Sequence, residues 1–225
     1  MTYAEVMRKL EASGTAQNRK VYQRQGAGSN LFGVSFANLN QLKRQINTDH
    51  QLARQLWDSG NADARHLALM IGDPKEATEE LLDSWVKDLN YYMLCDLLAG
   101  FGGKTKFAKK KAEEWIKSKD EWIGRAGWNL LGVLAMQDGT LPDGYFEKYS
   151  ELIENTIHQS KNFTKHAMNN ALIAIGIRNL SLQKKAMAVA KKIGKVEVDH
   201  GETNCQTPDA AAYILKTIAY RKKKK

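Results

Sequence analysis

Proline is scarce in this chain. Pro74, Pro142 and Pro208 are the only ones in 225 residues, and each sits beside a polar or glycine-bearing turn, so long stretches are free of the residue that breaks helices. Cysteine is scarcer still. Cys95 and Cys205 lie far apart with no Cys-x-x-Cys pair, which argues against a disulfide framework and for reduced thiols. The histidines, His50, His66, His158, His166 and His200, are scattered, so no zinc-ligand spacing arises and no metal is expected. No run of roughly 18 apolar residues occurs, and Met1 to Ser13 is polar and amphipathic without a signal-peptide core. No membrane partner is therefore expected, and the cytoplasm is the expected location. Gly100-Phe101-Gly102-Gly103 lacks the lysine-serine and strand context of a phosphate-cradling loop. It reads as a break between helices, and no cofactor is expected.

The chain has 43% hydrophobic and 26% charged residues, enough to bury a sizeable core at the upper end of one domain. Apolar residues recur at helical spacing: Leu81, Trp85, Leu89 and Met93 in one run, Trp122, Ala126, Leu130 and Leu134 in another. Short turns at Asp58-Ser59-Gly60, Ile71-Gly72-Asp73-Pro74 and Gly139-Thr140-Leu141-Pro142 punctuate these runs. The fold expected is all-α, and Trp57, Trp85, Trp115 and Trp122 are expected to pack within it. Segments beginning near Asn61, Asp120 and Lys161 each open polar and then run Ala- and Leu-rich, a self-similarity compatible with HEAT-like helix pairs of roughly 40 to 47 residues. Stacked pairs form a solenoid with an extended concave surface; an ordinary helical bundle is the competing architecture. The expected organisation is one solenoid domain over residues 1–220, then a disordered basic tail at 221–225. Residues 194–209 break the pattern with a short alternating stretch, a glycine turn and a polar loop. They predict an irregular or strand-like segment before a last helix from about Asp209 to Tyr220, capped by Thr207 or Asp209.

The net charge is +9, and Arg221 through Lys225 supply part of it. One lysine run holds Lys104, Lys106, Lys109, Lys110 and Lys111, another Lys184, Lys185, Lys191, Lys192 and Lys195; either suits phosphate contacts or simply solvates an outer helix face. Two motifs concentrate chemistry. In Tyr91-Tyr92-Met93-Leu94-Cys95-Asp96, Tyr92 and Asp96 are one helical turn apart, and in Asp120 to Trp128 so are Arg125 and Trp128. Asp96 reads either as half of an ion pair with Arg125 or as a carboxylate that faces developing positive charge. Arg125 suits a phosphate as well as a carboxylate, and Trp128 suits either the core or a groove edge. On a helix starting near Asn162, Phe163, Ala167, Ala171 and Ala174 form a packing stripe. Lys165, His166, Asn169 and Asn170 gather on the other side, suited to phosphate and sugar hydrogen bonds or to solvation. His200, Glu202 and Cys205 read as loop scaffolding.

Phe32-Gly33-Val34 with Leu39 to Ile46, Leu52 to Pro74 with Trp57, Ala64, Arg65 and Ala68, Trp85 to Gly100, Trp122 to Ala135 and Lys161 to Gly176 together resemble the AlkD-type DNA alkylation repair family. That family comprises HEAT-like repeat proteins. The resemblance implies a concave basic groove that holds duplex DNA, and excision of cationic alkylated purines. It places Asp96 at the aspartate that stabilises the cationic sugar and Arg125 at the assisting arginine. Tyr92 stands at the first tryptophan position, and the second falls near Asn169 or Asn170. The expected protein is a monomeric binder of damaged or distorted double-stranded DNA with DNA N-glycosylase activity. Asp96, Arg125 and Tyr92 would be catalytic, and Tyr91, Trp128, Lys165, His166, Asn169 and Asn170 would contact DNA. The exchanged tryptophans keep a non-catalytic binder of branched or distorted DNA as the alternative, and a protein-interaction scaffold is a third.

Overall fold

The computed structural model describes residues 1–223, and among these the regular structure is helical throughout. The chain packs as two compact units, one of residues 1–107 with 201–203, the other running from Ala108 to His200 and from Asn204 onward. Most helices start on a side chain that accepts an otherwise unpaired backbone N–H, among them Thr2, Ser35, Asp49, Asn61, Asp120 and Asn179. Among the described residues, no helix is long and apolar enough to cross a membrane.

The first unit holds α1 (Tyr3–Ser13), α2 (Ala16–Arg24), α3 (Phe36–Ile46), α4 (His50–Asp58), α5 (Ala62–Ile71), α6 (Glu79–Lys87) and α7 (Tyr92–Gly102). Its centre is α5, on which only Arg65 and Met70 keep appreciable exposure. Trp57 of α4 and Trp85 of α6 stack at 4.5 Å and 14°, and both are buried as expected. Trp57 Nε1 donates to Asp88 Oδ2 at 2.8 Å, and Arg65 lies over the Trp57 ring while it pairs with the same carboxylate at 3.1 Å.

That knot accounts for one departure from the sequence reading. The four-residue spacing from Leu81 to Met93 predicts one helix, yet residues 88–91 separate α6 from α7. Asp88 is held by Trp57 and Arg65 through its carboxylate, and its carbonyl accepts from Arg65 Nη1, so the chain turns there. The break expected at Gly100-Phe101-Gly102-Gly103 falls at the end of that segment: Gly100, Phe101 and Gly102 close α7 and Gly103 caps it. Phe101 is buried at 5.6 Å from Trp85, and that packing outweighs the low helix propensity of glycine.

The second unit holds α8 (Ala108–Trp115), α9 (Glu121–Gln137), α10 (Asp143–Thr156), α11 (Asn162–Gly176), α12 (Leu180–Ile193) and α13 (Ala210–Lys223), with a 3-10 turn at Ile157–Gln159. At its centre, α11 packs against α9, α10, α12 and α13. Where α8 crosses α9 only glycine fits: a Cβ on Gly127 would lie 2.5 Å from Ile116 N and 2.7 Å from the Trp115 carbonyl carbon. Residues 194–209 form neither helix nor strand. Asp209 caps α13 by accepting from Ala212 N at 2.7 Å. Arg221, Lys222 and Lys223, expected in a tail, complete the last turn of α13, where cations meet the negative end of the helix dipole. Residues 224–225 of that expected tail lie outside the described residues.

Candidate nucleic-acid interface

In the first unit the candidate residues lie on α7, and their setting is built from below. Asp63, fully buried on α5, accepts from the backbone N–H groups of Phe32 at 2.7 Å, Gly33 at 2.9 Å and Val34 at 2.9 Å. This fixes the entry to α3. Tyr22 donates to Val34 O at 2.8 Å. Below α7, the Tyr91 hydroxyl is hydrogen-bonded to His66 Nε2, and His66 stacks on Phe36 at 5.5 Å. Nδ1 of His66 is buried without a partner, so a proton added there has nothing to offset its desolvation. Burial accordingly pulls the His66 pKa down to about 4 and pushes the Tyr91 phenol up.

Tyr91 is thus a core residue with no exposed surface, and the expectation of a DNA contact from it is corrected to packing. Its neighbours on α7 face outward. Tyr92 is half-buried, Asp96 is exposed, and Gly100, which a Cβ would leave in open space, continues the stripe at the next turn. Tyr92, Asp96 and Gly100 therefore form a face with a phenol ring, a carboxylate and a bare backbone patch.

In the second unit α9 and α11 are tied at their starts. Glu121 Oε1 accepts from Phe163 N at 2.6 Å, Thr164 Oγ1 donates to Glu121 O at 3.1 Å, and Trp122 stacks on Phe163 at 5.2 Å. Arg125 is 3% exposed, and one of its nitrogens donates to Phe163 O at 3.2 Å. Trp128 is also 3% exposed and packs edge-on against Tyr149 at 6.1 Å. Its place is the core, which corrects its expected role at a DNA groove.

The polar stripe of α11 is largely occupied by the chain itself. Asn162 exchanges two hydrogen bonds with Asp199, its Nδ2 donating to the carbonyl at 2.6 Å and its Oδ1 accepting from the amide at 2.8 Å. One turn on, His166 Nδ1 is 3.0 Å from Thr207 Oγ1, and Asn169 Nδ2 donates to Pro208 O at 2.9 Å. Asn162, His166 and Asn169, at positions i, i+4 and i+7, thus pin the loop 199–208 onto the helix. Asn169 is 1% exposed, so its expected DNA contact gives way to loop anchoring. His166 serves the same anchor, and Lys165 and Asn170 beside it remain half-exposed.

Thr207 Oγ1 also lies 3.0 Å from His200 Nε2, and the two imidazoles meet edge to face at 5.1 Å. Burial and the nearby Arg125 charge hold the His166 pKa down at about 4 and lower that of His200 as well. Both rings are therefore neutral near pH 7. Loop and helix border an open cavity of about 670 Å³ whose wall includes Asn162, Lys165, Lys195, His200, Cys205 and Thr207.

The lysine runs divide. Lys111 is buried and pairs with Glu114 at 2.7 Å, and Lys185 and Lys192 on α12 pair with Glu147 and Glu154 on α10. Lys104, Lys106, Lys109 and Lys110 are exposed.

Helix packs on helix in both units, α7 presents a carboxylate and α9 buries an arginine. The chain belongs to the DNA alkylation repair enzyme family, whose sequence profile matches residues 6–214. Uncharacterized proteins of Listeria innocua and Listeria monocytogenes are each 28% identical over 222 residues, spanning 96% of this chain and 97% of theirs. A solved structure, described as a new family of proteins related to the HEAT-like repeat DNA glycosylases with affinity for branched DNA structures, is 32% identical. It superposes with a TM-score of 0.91 over 98% of this chain and 95% of that one. The fold is therefore of the HEAT-like repeat type.

Proposed function

We propose that this protein binds DNA whose duplex is branched or distorted, and that binding rather than base excision is its principal activity. The observation that carries the reading is the fate of the aromatic residues. The family resemblance implies rings that flank the deoxyribose beside the carboxylate. Here Tyr91 and Trp128 are in the core, Asn169 anchors a loop, and Tyr92 alone of the candidate rings accompanies Asp96 at the surface. The likeness to a solved relative with affinity for branched DNA supports the same reading. A net charge of +9 supplies the sequence-independent attraction to phosphate.

The experiment is a titration of a fluorescent four-way junction and of a linear duplex of equal length at several salt concentrations. Tighter binding to the junction, with affinity that falls steeply with salt, is expected. Equal or salt-insensitive binding to both counts against the reading.

A second reading is favoured by one feature, the exposed Asp96 carboxylate with Tyr92 one turn before it. In that reading Asp96 stabilises the oxocarbenium-like sugar as a cationic alkylpurine leaves, and Asp96→Asn lowers the rate on the order of 10²- to 10³-fold. Release of methylated purines from alkylated duplex DNA by the wild type, lost in Asp96→Asn, would establish it.

A further inference from the structure

Between Glu11 and Asp49 the sequence contains no carboxylate, while it holds Arg19, Lys20, Arg24, Lys43 and Arg44. Three of these cations lie on α2. Arg19, Lys20 and Arg24 are exposed, and among the described residues none of their side chains makes a hydrogen bond or an ion pair. Lys20 and Arg24 sit one turn apart, an arrangement in which like charges repel. Gln17 and Gln23 join them around a shallow depression of about 550 Å³. The Asp63 carboxylate, which reaches into the segment, is buried and committed to the amides of residues 32–34.

The helix is held rigidly. Thr15 caps it through its side chain, and its amide donates to Gly33 O at 3.0 Å. Gly33 has φ +81, and a Cβ there would meet Arg19 N and Thr15 O at 2.6 Å. The backbone at residue 33 thus lies directly against the first turns of α2, and Tyr22 buries the opposite side. What remains outward is a row of cations and amides with no counter-ion among the described residues.

We infer that the outward face of α2 is a docking surface for a nucleic-acid phosphate backbone, made by residues other than those on α7 and α11. The inference rests on the DNA-binding reading above and gives it a second point of attachment. Arginine forks and glutamine amides match phosphate oxygens and sugars and read no sequence. A lipid surface fits less well. Helices that lie on membranes bury an apolar face, and on α2 the apolar Tyr22 is turned into the core while Val21 is half-buried.

The test is Arg19→Gln/Lys20→Gln/Arg24→Gln in the full chain, against a control that removes the same charge elsewhere, Lys75→Gln/Lys87→Gln/Lys119→Gln. Affinity for a four-way junction and for linear duplex is measured across salt. The α2 variant is expected to flatten the log–log salt dependence by about 2–3 and to weaken binding on the order of 10- to 100-fold, the control much less. An unchanged slope, or an equal loss in the control, overturns the inference. Loss of binding to phosphatidylserine vesicles with DNA binding intact overturns it in favour of a membrane surface. If the wild type itself shows no salt-dependent DNA binding, the broader functional reading has failed and this inference falls with it. Wild-type binding that the α2 variant retains in full sinks the inference alone.

Discussion

Replacing Asp63 probes a buried constraint on how the first unit is assembled. Its Oδ2 takes the amides of Phe32 and Gly33, its Oδ1 that of Val34, and the side chain has no exposure. In Asp63→Ala these amides lose their acceptor, at about 1–3 kcal/mol for each donor left buried. Phe32 is only part-buried, so water can replace its bond. Relief from burying a carboxylate offsets some of the remainder. A net loss of about 3–4 kcal/mol is expected, on the order of 10 °C in melting temperature for a chain of this size.

Asp63→Asn sharpens the test. A carboxamide oxygen turned toward Phe32 and Gly33 keeps two bonds but sets an NH₂ against the Val34 amide, so an intermediate loss of about 2 kcal/mol is expected. Urea unfolding followed by far-UV circular dichroism reads all three proteins, and hydrogen exchange at Val34 reports the site directly. The expected order of stability is wild type, Asn, Ala. Both variants within about 1 kcal/mol of wild type would refute the reasoning.

Stability should also depend on pH. His66 has a folded pKa of about 4 against an ordinary 6.5, so the unfolded chain takes up the proton first. Stability then falls as pH drops from 6.5 toward 4, by about 3 kcal/mol from this residue, and His66→Gln should flatten an unfolding curve measured over that range. Gly127→Ala forces α8 and α9 apart, since the new Cβ would lie 2.5 Å from Ile116 N; a loss of about 2–3 kcal/mol is expected in thermal unfolding. Asn169→Ala removes the amide that holds Pro208, at about 1 kcal/mol, and should speed protease cleavage within 199–208 with little change at the termini.

Much of the fold was legible because helices repeat every 3.6 residues and the sequence keeps apolar side chains at that spacing. The turns at Asp58-Ser59-Gly60 and Ile71-Gly72 and the capping aspartate of α13 could be read residue by residue. The break that failed was decided by tertiary contacts. The 88–91 turn is set by Trp57 and Arg65, distant in sequence. In the candidate site, spacing gathered Lys165, His166, Asn169 and Asn170 on one polar side but did not show what His166 and Asn169 bind, and Asn162 read only as the start of the helix. A polar helix face looks the same whether phosphate, water or a loop of the same chain covers it. The i, i+4, i+7 spacing opposite the polar loop 199–208 was the only sequence signal for that docking. The unpaired cations of α2 were visible as an absence of carboxylates, a signal easily lost in a net charge.

The account's central claim is DNA binding through structure rather than base excision. It is tested most directly by incubating one preparation with a methylated four-way junction, then quantifying the bound fraction and the released methylpurines together. Tight, salt-sensitive binding with release no faster than the uncatalysed rate is predicted. Turnover that vanishes in Asp96→Asn, or failure to prefer the junction over linear duplex, would contradict the claim.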